Sequence, residues 1–397
     1  RFVNTVIHEQ EDKLPFTFKW FGEKMIVDRN VSKHAILRKG TEIVAINGVP
    51  VVKILSALLP YVAADGATDK NRIQKLEIDG FDFRYNAFDI FFPLKFPLED
   101  GVFKLSVLVN GNISEVEVKG MHREIRAEKL RDKYVDFPYT RDDMFAFQSY
   151  KDLGVLTLNS FGLMGWKAMT LDYKKYLDKT FTALQQKNIK HLIIDIRGNT
   201  GGNDEMKIEL IRYLSFDRQQ LLPIAREGRT RFVNFPEQLK PHIKTWGDNP
   251  WYYNLTPDAT EGQYYIFNER FENREPQPGK PNMFQGKVYL LVGPSNTSLA
   301  YYTARDFQHY KIGKLIGDET GGNLRDINGG QILFLTLPNS GIEIDFPVMG
   351  GFSTELLPNS GVVPDHQVEM SLQDFRNGID PVMDKAFELI KKKAAPK

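Results

Sequence analysis

The chain of 397 residues contains no cysteine. This absence excludes disulfide bonds, thiolate zinc sites and a cysteine nucleophile, and it leaves the redox compartment open. No apolar run approaches the roughly 18 residues that a membrane-spanning helix needs. Neither sign of charge is in excess, because 52 Lys and Arg accompany 51 Asp and Glu. A nearly neutral chain is not drawn as a whole to nucleic acid or anionic membranes, so no nucleic-acid partner is expected.

An initiator methionine and a signal-like apolar segment are also missing, since the sequence starts at Arg1. We therefore expect a trimmed form, from which any export signal has been removed. The composition, with 42% hydrophobic and 26% charged residues, is ordinary for a globular protein. The length is sufficient for two or three domains.

The most informative stretch runs from His191 to Asn203. Residues 192–196, which are apolar apart from Asp195, predict a short strand buried on both faces, and 205–214 has the pattern of an amphipathic helix. Between them lies Arg-Gly-Asn-Thr-Gly-Gly, a turn whose backbone N–H groups can face an anion or a developing oxyanion. The turn lacks the Lys-Ser/Thr of a P-loop, so nucleotide binding is disfavoured.

A second strand-to-helix turn follows the apolar run 287–292. It reads Gly293-Pro-Ser-Asn-Thr-Ser298 and leads into a predicted helix. A serine here is exposed at the sheet edge and lies near the positive end of a helix. Ser298 fits this position well and Ser295 less well. The alternative is that Thr297 or Ser298 only caps the helix.

Several motifs resemble the C-terminal processing peptidases, a family of serine peptidases that includes the tail-specific proteases and the tricorn protease core. Asp195-Ile-Arg-Gly-Asn-Thr-Gly-Gly202 resembles the family's Asp-Leu-Arg-x-Asn-x-Gly-Gly, and Gly361-Val-Val-Pro-Asp365 resembles its Gly-Ile-x-Pro-Asp. The run 295–301 loosely matches the family's Ser-Ala-Ser-Ala-Ser-Glu, which places Ser298 on the nucleophile. Lys39-Gly-Thr-Glu-Ile-Val-Ala-Ile-Asn-Gly48 is similar to the signature of PDZ domains.

The resemblance implies an α/β core of the ClpP/crotonase type, with a mostly parallel sheet and helices, plus a mainly-β PDZ-like domain. We expect an N-terminal segment and PDZ-like domain at 1–125, a linker at 126–144 and the core at 145–397. The alternation of strands and helices after residue 145 independently favours a parallel sheet. Residues of about 216–285 interrupt that alternation, either as an excursion over the active-site side or as an irregular insertion. The PDZ-like domain is either a peptide-binding groove or a structural brace.

The activity implied is that of a serine endopeptidase that forms an acyl-enzyme on Ser298. The backbone N–H of Leu299, with that of Gly201 or Gly202, would hold the oxyanion. The partner would be a peptide or an unfolded protein, and neither a cofactor nor a metal is implied. The family's habit also predicts export to the periplasm or the extracellular space, with or without membrane association.

The resemblance does not supply a general base at the expected position. The bacterial processing peptidases have a catalytic lysine where this chain has Asn323, and an amide side chain cannot take a proton from serine. Tricorn-like members use a Ser/His/Glu arrangement instead, and this resemblance points to His8, ahead of the PDZ-like region, and to Glu355. Three possibilities stay open: the base lies upstream of Arg1, His8 serves, or the site is inactive. Glu355 could equally be a solvated loop carboxylate.

Geometry screens some of the other histidines. His309 lies about 16 Å along the same predicted helix as Ser298. His191 lies about 16 Å from the glycine turn along its strand. Neither can be the base, whereas His366 stays open without support.

A non-enzymatic relative is the rival interpretation. The retinoid-binding branch of the same superfamily binds an apolar ligand, and this chain could similarly bind a peptide or a small apolar molecule without catalysis. The missing lysine and Tyr301, at the position of the family's glutamate, favour this alternative.

Overall fold

The structure, a computed structural model, describes residues 9–66, 68–79, 86–135, 145–162, 171–214, 226–233, 237–245, 256–267, 279–328 and 332–392. The strands are β1 (Phe16–Phe21), β2 (Lys24–Asn30), β3 (Glu42–Ile46), β4 (Val49–Pro50), β5 (Val102–Val109), β6 (Asn112–Lys119), β7 (Phe145–Tyr150), β8 (Leu153–Leu158), β9 (His191–Asp195), β10 (Arg226–Thr230), β11 (Ile243–Lys244), β12 (Ala259–Glu261), β13 (Tyr264–Phe267), β14 (Lys287–Val292), β15 (Lys314–Gly317), β16 (Ile332–Thr336), β17 (Glu343–Pro347), β18 (Gly350–Ser353) and β19 (His366–Gln367). The α helices are α1 (Val51–Leu58), α2 (Lys70–Lys75), α3 (Ala87–Lys95), α4 (Arg123–Lys133), α5 (Tyr173–Gln186), α6 (Asp204–Arg212), α7 (Ser298–His309), α8 (Leu372–Asn377) and α9 (Pro381–Lys392). Short 3₁₀ turns occupy Leu59–Tyr61 and Glu237–His242.

The first sheet has the strand order β1-β2-β3-β5-β6, with β4 paired to β3. Asn47 and Gly48 form the tight turn between β3 and β4, with φ of +51° and +75°. Two successive positive φ values are what a type I′ hairpin turn needs, and Asn-Gly adopts them readily. Helix α1 buries one apolar face made of Val51, Ile54, Leu55 and Leu58. These features agree with the PDZ signature, and the assignment of a PDZ-like domain stays a prediction.

The outer edge of β1 is already paired within the chain. The Phe18 N–H donates to the Ile78 carbonyl at 3.3 Å, and the Trp20 N–H donates to Glu77 Oε1 at 3.0 Å. An extended peptide that added a strand at this edge would have to displace residues 77–78.

The second large sheet has the order β19-β15-β14-β9-β8-β7. All its pairings are parallel except that of β7 with β8. Alternate residues of β9 face opposite layers: Leu192 and Ile194 pack with helices α5, α6 and α7, whereas Ile193 packs with α9. This three-layer arrangement is the α/β core that the sequence predicted. No helix among the described residues is long and apolar enough to cross a bilayer.

The segment at 216–285 contributes strands rather than loop alone. Its strands β12, β13 and β10 form a sheet with β18, and β11 forms another with β16 and β17. A small core that includes Ile243, Phe267 and Leu333 lies between these strands. The segment therefore combines with residues 332–353 into a second β unit.

Helix α4 occupies the first part of the predicted linker and packs on the N-terminal sheet. The fully buried Arg126 guanidinium pairs with the Asp89 carboxylate and donates to the Leu14 carbonyl. Residues 136–144 lie outside the described ranges, so the division into domains stays a prediction.

An ion-pair network ties the glycine-turn motif to the C-terminal helix. The Arg197 guanidinium donates to both carboxylate oxygens of Asp195 and to both of Asp380, at 2.7–3.0 Å. Asp380 also accepts the Met383 N–H at 3.1 Å, so it caps the start of α9. Burial alone would raise the pKa of Asp380, but the Arg197 guanidinium and the helix N–H groups hold it below its ordinary value of 3.8.

Asp380→Asn tests this link. We expect it to lower the free energy of unfolding at neutral pH by about 1 kcal/mol, because Asp380 is partly exposed and solvent screens the pair. A carboxylate whose pKa is lowered by folding stabilises the fold above its unfolded pKa and loses this contribution as pH falls through the lowered value. The stability difference between wild type and Asp380→Asn, measured by urea denaturation, should therefore shrink below about pH 4. A difference that persists unchanged at pH 2 would contradict the assignment.

Candidate active site

Three turns meet at the carboxyl edge of the parallel sheet. They follow β9, β14 and β15, which are neighbours in the sheet. Active sites of open α/β sheets lie at this edge, because the loops that leave adjacent parallel strands converge there. The topology thus brings together residues 197–202, which we call the glycine turn, residues 293–298, which we call the serine turn, and residues 318–323.

The glycine turn is held by a buried amide. Asn199 donates to the Leu158 carbonyl at 2.9 Å and accepts the Gly201 N–H at 2.9 Å. The φ values of Gly201 and Gly202 are +117° and +145°. A Cβ on Gly202 would lie 2.0 Å from the Phe161 carbonyl carbon, so only glycine fits this close approach of two backbones.

The serine turn is held by a second buried amide. Asn296 accepts the Gly293 N–H at 2.8 Å, which closes its own turn. It also donates to the carbonyls of Ile196 and Asn199, which fastens this turn to the glycine turn. The Thr297 hydroxyl adds a hydrogen bond of 3.0 Å to the Thr200 carbonyl. Thr297 directly precedes helix α7, but its side chain forms no capping hydrogen bond.

Ser298 begins helix α7 with a left-handed backbone. Its φ is +49°, which is uncommon for a residue with a Cβ and costs on the order of 1–3 kcal/mol. Such strain is typical of a nucleophile on a sharp strand-to-helix turn. Ser298 is half-buried, and among the described residues no hydrogen bond engages its hydroxyl. A cap would require such a bond, so the helix-cap alternative is not supported by the geometry.

The glycine turn packs directly on this serine. A Cβ on Gly201 would lie 2.8 Å from the Ser298 Cβ and 3.0 Å from the Leu299 nitrogen. Glycine at 201 therefore lets the two turns approach each other at the level of the first N–H groups of α7. These N–H groups lack intrahelical acceptors and carry the positive end of the helix dipole.

The candidate oxyanion donors differ in availability. The N–H of Gly201 already donates to Asn199. No hydrogen bond within the described part of the chain uses the N–H of Gly202 or of Leu299. Of Gly201 and Gly202, Gly202 is thus the one whose backbone N–H is not engaged within the described residues.

Asn323, at the family's lysine position, is engaged as a structural link. It is buried and donates to the Asp65 carbonyl at 2.9 Å and to the Asn359 side chain at 2.8 Å. Its own oxygen accepts the Arg325 N–H at 3.0 Å. Nothing in this arrangement can accept the serine proton.

Tyr301, at the position of the family's glutamate, is equally structural. Its hydroxyl donates to the Asn323 carbonyl at 2.6 Å, and its ring lies against Gly322, where a Cβ would meet it at 2.4 Å. Burial raises the pKa of Tyr301 well above its ordinary value, so the phenol stays neutral.

The base candidates are placed as follows. His8 lies outside the described residues. Glu355 is exposed, just after β18, and its backbone N–H donates to the Ser353 hydroxyl at 3.1 Å. His309 ends helix α7 and His191 begins β9, which keeps both away from Ser298. His366 begins β19, at the edge of the sheet.

Two residues that hold the turns were missed by sequence reasoning. Asn199 and Asn296 each occupy the middle of a turn-rich run, and each side chain satisfies backbone groups of that run. Asn in Gly- and Pro-containing turns commonly bonds nearby backbone. This signal was available, but the bonds to the neighbouring turn depend on the tertiary fold. No group of three or more His, Asp or Glu side chains suited to a metal occurs among the residues that the structure describes.

Comparisons with known proteins agree with the fold. Two solved structures of mature CPAF, one complexed with lactacystin, are similar to this chain at TM-scores of 0.62 and 0.61. They are 15% and 16% identical to it, and each alignment covers 96% of this chain and 82% and 83% of theirs. At this identity the likeness concerns the fold alone. No curated protein matches the chain.

The family assignment comes from the sequence. The model of peptidase family S41 matches residues 152–352, just over half of the chain. This match spans β9, the glycine turn, the serine turn and residues 318–323. The chain therefore belongs to peptidase family S41, a family of serine-type peptidases.

Proposed function

We propose that this protein hydrolyses peptide bonds by acyl transfer to Ser298. The single observation that carries the proposal is the left-handed backbone of Ser298 (φ +49°) packed against Gly201. A strained serine with an unused hydroxyl, at the positive end of a helix and beside a glycine turn, has the surroundings that an acyl-transfer nucleophile requires.

In the proposed reaction the Ser298 hydroxyl attacks the scissile carbonyl while a base takes its proton. The oxyanion that forms accepts hydrogen bonds from the N–H of Leu299 and of Gly202. Donors that are held in place before the reaction stabilise such a charge without reorganisation. The protonated base then gives its proton to the leaving amine, and water hydrolyses the ester on Ser298 by the reverse sequence.

His8 is proposed as the base and Glu355 as the group that orients it. The resemblance to tricorn-like enzymes supports this choice. Asn323 cannot accept a proton, and His191 and His309 lie away from Ser298. A histidine that reaches Ser298 would have to lie within about 3.2 Å of its hydroxyl.

The substrate is a peptide or an unfolded protein, which the S41 assignment supports. Its binding site is proposed to lie at the carboxyl edge of the core sheet and not at β1, whose edge is occupied by residues 77–78. Export to the periplasm or the extracellular space stays a prediction from the resemblance.

The rival function is peptide or apolar-ligand binding without catalysis. The observation that favours it is that no described side chain hydrogen-bonds to the Ser298 hydroxyl. A serine without a base is a weak nucleophile. The two functions therefore differ in whether Ser298 reacts.

Labelling by a fluorophosphonate probe tests the nucleophile. We expect the parent protein to be labelled and Ser298→Ala to be inert, because the probe reacts with a serine only when a base and an oxyanion hole activate it. Ser295→Ala, which alters the same turn, is the control and should label like the parent. A parent chain that does not label would favour the binding function.

Substitution of the proposed base separates it from the other histidines. His8→Ala should slow labelling of Ser298 by about 10²–10⁴-fold, since general-base catalysis contributes that much. Glu355→Gln should have a smaller effect in the same direction, because an orienting group acts through the base. The exposed His34 provides the control, and His34→Ala should label at the parental rate. Equal rates for His8→Ala and His34→Ala would rule out His8.

Gly201→Ala tests the contact between the two turns. The added methyl would meet the Ser298 Cβ at 2.8 Å, and a displacement of the nucleophile by about 1 Å can cost about 10²-fold in rate. The control is Gly22→Ala, where φ is also positive (+59°, against +117° at Gly201) but open space surrounds the new methyl. Gly22→Ala should be destabilised by backbone strain alone and label normally. Parental labelling of Gly201→Ala would show that the turns tolerate separation.

A further inference from the structure

Residues 65–66 and 68–78 of the N-terminal region contact the turns at the candidate site and also the N-terminal sheet. At their start, Gly66 approaches the Gly322 backbone so closely that a Cβ would lie 2.8 Å from the Gly322 carbonyl oxygen. The Asp65 carbonyl accepts the Asn323 side chain at 2.9 Å. We call residues 65–66 and 68–78 the bridging segment, and helix α2 lies within it.

The far end of the bridging segment is fixed to β1. The Trp20 indole N–H donates to the Leu76 carbonyl at 3.2 Å, and the Phe18 N–H donates to the Ile78 carbonyl. The side chains of Leu76 and Ile78 are fully buried in the N-terminal core. Helix α2 is therefore held at both ends, and its side chains have a fixed position relative to the core sheet.

Asn71 extends from this helix to the turn that precedes Ser298. Its side chain is 3% exposed and donates to the Pro294 carbonyl at 2.6 Å. It lies beside the third turn as well, because a Cβ on Gly321 would meet its amide nitrogen at 3.0 Å and the Thr297 methyl at 2.6 Å. Within the described residues no other hydrogen bond reaches the Pro294 carbonyl.

The amide of Asn71 is a poor choice for stability alone. Its oxygen is buried and has no hydrogen-bond partner among the described residues. Leaving a buried acceptor unpaired is unfavourable. Leucine, of similar size, would forfeit the bond to Pro294 but would also remove this unpaired oxygen. An asparagine at position 71 is thus better explained by its hydrogen bond to the serine turn than by a contribution to the stability of the fold.

We propose that Asn71 is a positioning residue that sets the serine turn for reaction from outside the core domain. This inference rests on Ser298 as the nucleophile. Asn296 holds the turn from the core side through Gly293, Ile196 and Asn199. Asn71 holds the opposite side through Pro294, four residues before the strained backbone of Ser298. The N-terminal region acts as a brace for the nucleophile, independently of any peptide bound at β1.

The test compares Asn71→Leu with Lys70→Met. Lys70 is the neighbouring residue on α2 and pairs with Asp318 at 2.7 Å and with Glu369, so its loss loosens the same contact between regions without touching Pro294. Two quantities are measured: the saturation kinetics of fluorophosphonate labelling, and hydrogen exchange of the peptide that covers residues 293–301. Thermal unfolding reports whether each variant keeps its fold.

For Asn71→Leu we expect the maximal labelling rate to fall about 10- to 100-fold. The probe concentration at half-saturation should stay unchanged, since the probe's binding site is not altered. Exchange in 293–301 should accelerate while the midpoint of thermal unfolding stays close to the parental value. Lys70→Met should leave both the labelling rate and this exchange at parental values.

Two results would overturn the inference: parental exchange in 293–301 of Asn71→Leu, or the same acceleration in Lys70→Met. The exchange measurement does not require an active enzyme. If the parent fails to label, the proposed function is wrong, and accelerated exchange confined to Asn71→Leu would still establish that Asn71 positions the turn.

Discussion

The site depends on one tight contact, the packing of the glycine turn against Ser298. The serine holds a left-handed backbone at the start of α7, and the missing side chain of Gly201 leaves the room in which it sits. The glycine turn is not rigid by itself, because glycine-rich backbone has high conformational freedom. Buried amides supply the rigidity: Asn199 fixes the glycine turn, and Asn296 joins it to the serine turn. A strained residue persists only where its surroundings over-determine it, and these bonds do so here.

The N-terminal region also contacts the serine turn, on the side opposite Asn296. Its bridging segment places Asn71 on Pro294 and connects Asp65 to Asn323. The edge of β1, where a peptide could add as a strand, is used to anchor this segment. Between the two readings of the PDZ-like region, groove or brace, the contacts of the bridging segment favour the brace.

Asn323 and Tyr301 are neutral residues, although the resemblance aligns them with a lysine and a glutamate of the processing peptidases. Asn323 and Tyr301 form one hydrogen-bonded unit, in which the phenol donates to the Asn323 carbonyl and the amide bonds two distant segments. Ionised groups at these buried positions would need charged partners, whereas an amide and a phenol are satisfied by backbone carbonyls. Both residues therefore serve as structural links in this chain, and the proposed general base is a different residue.

The sequence alone determined much of this protein. Apolar runs predicted the core strands at 192–196 and 287–292, and the motif at 195–202 together with Ser298 placed the candidate site at two strand-to-helix turns, because these signals are local in the chain. The roles of Asn71, Asn199 and Asn296 depend on which distant carbonyls their amides reach. In the small β unit, the pairing of β10 with β18 and of β11 with β16 was not predicted either, since it joins segments far apart in sequence. Hydrogen bonds between segments far apart in sequence have no local pattern, so only the tertiary structure decided them.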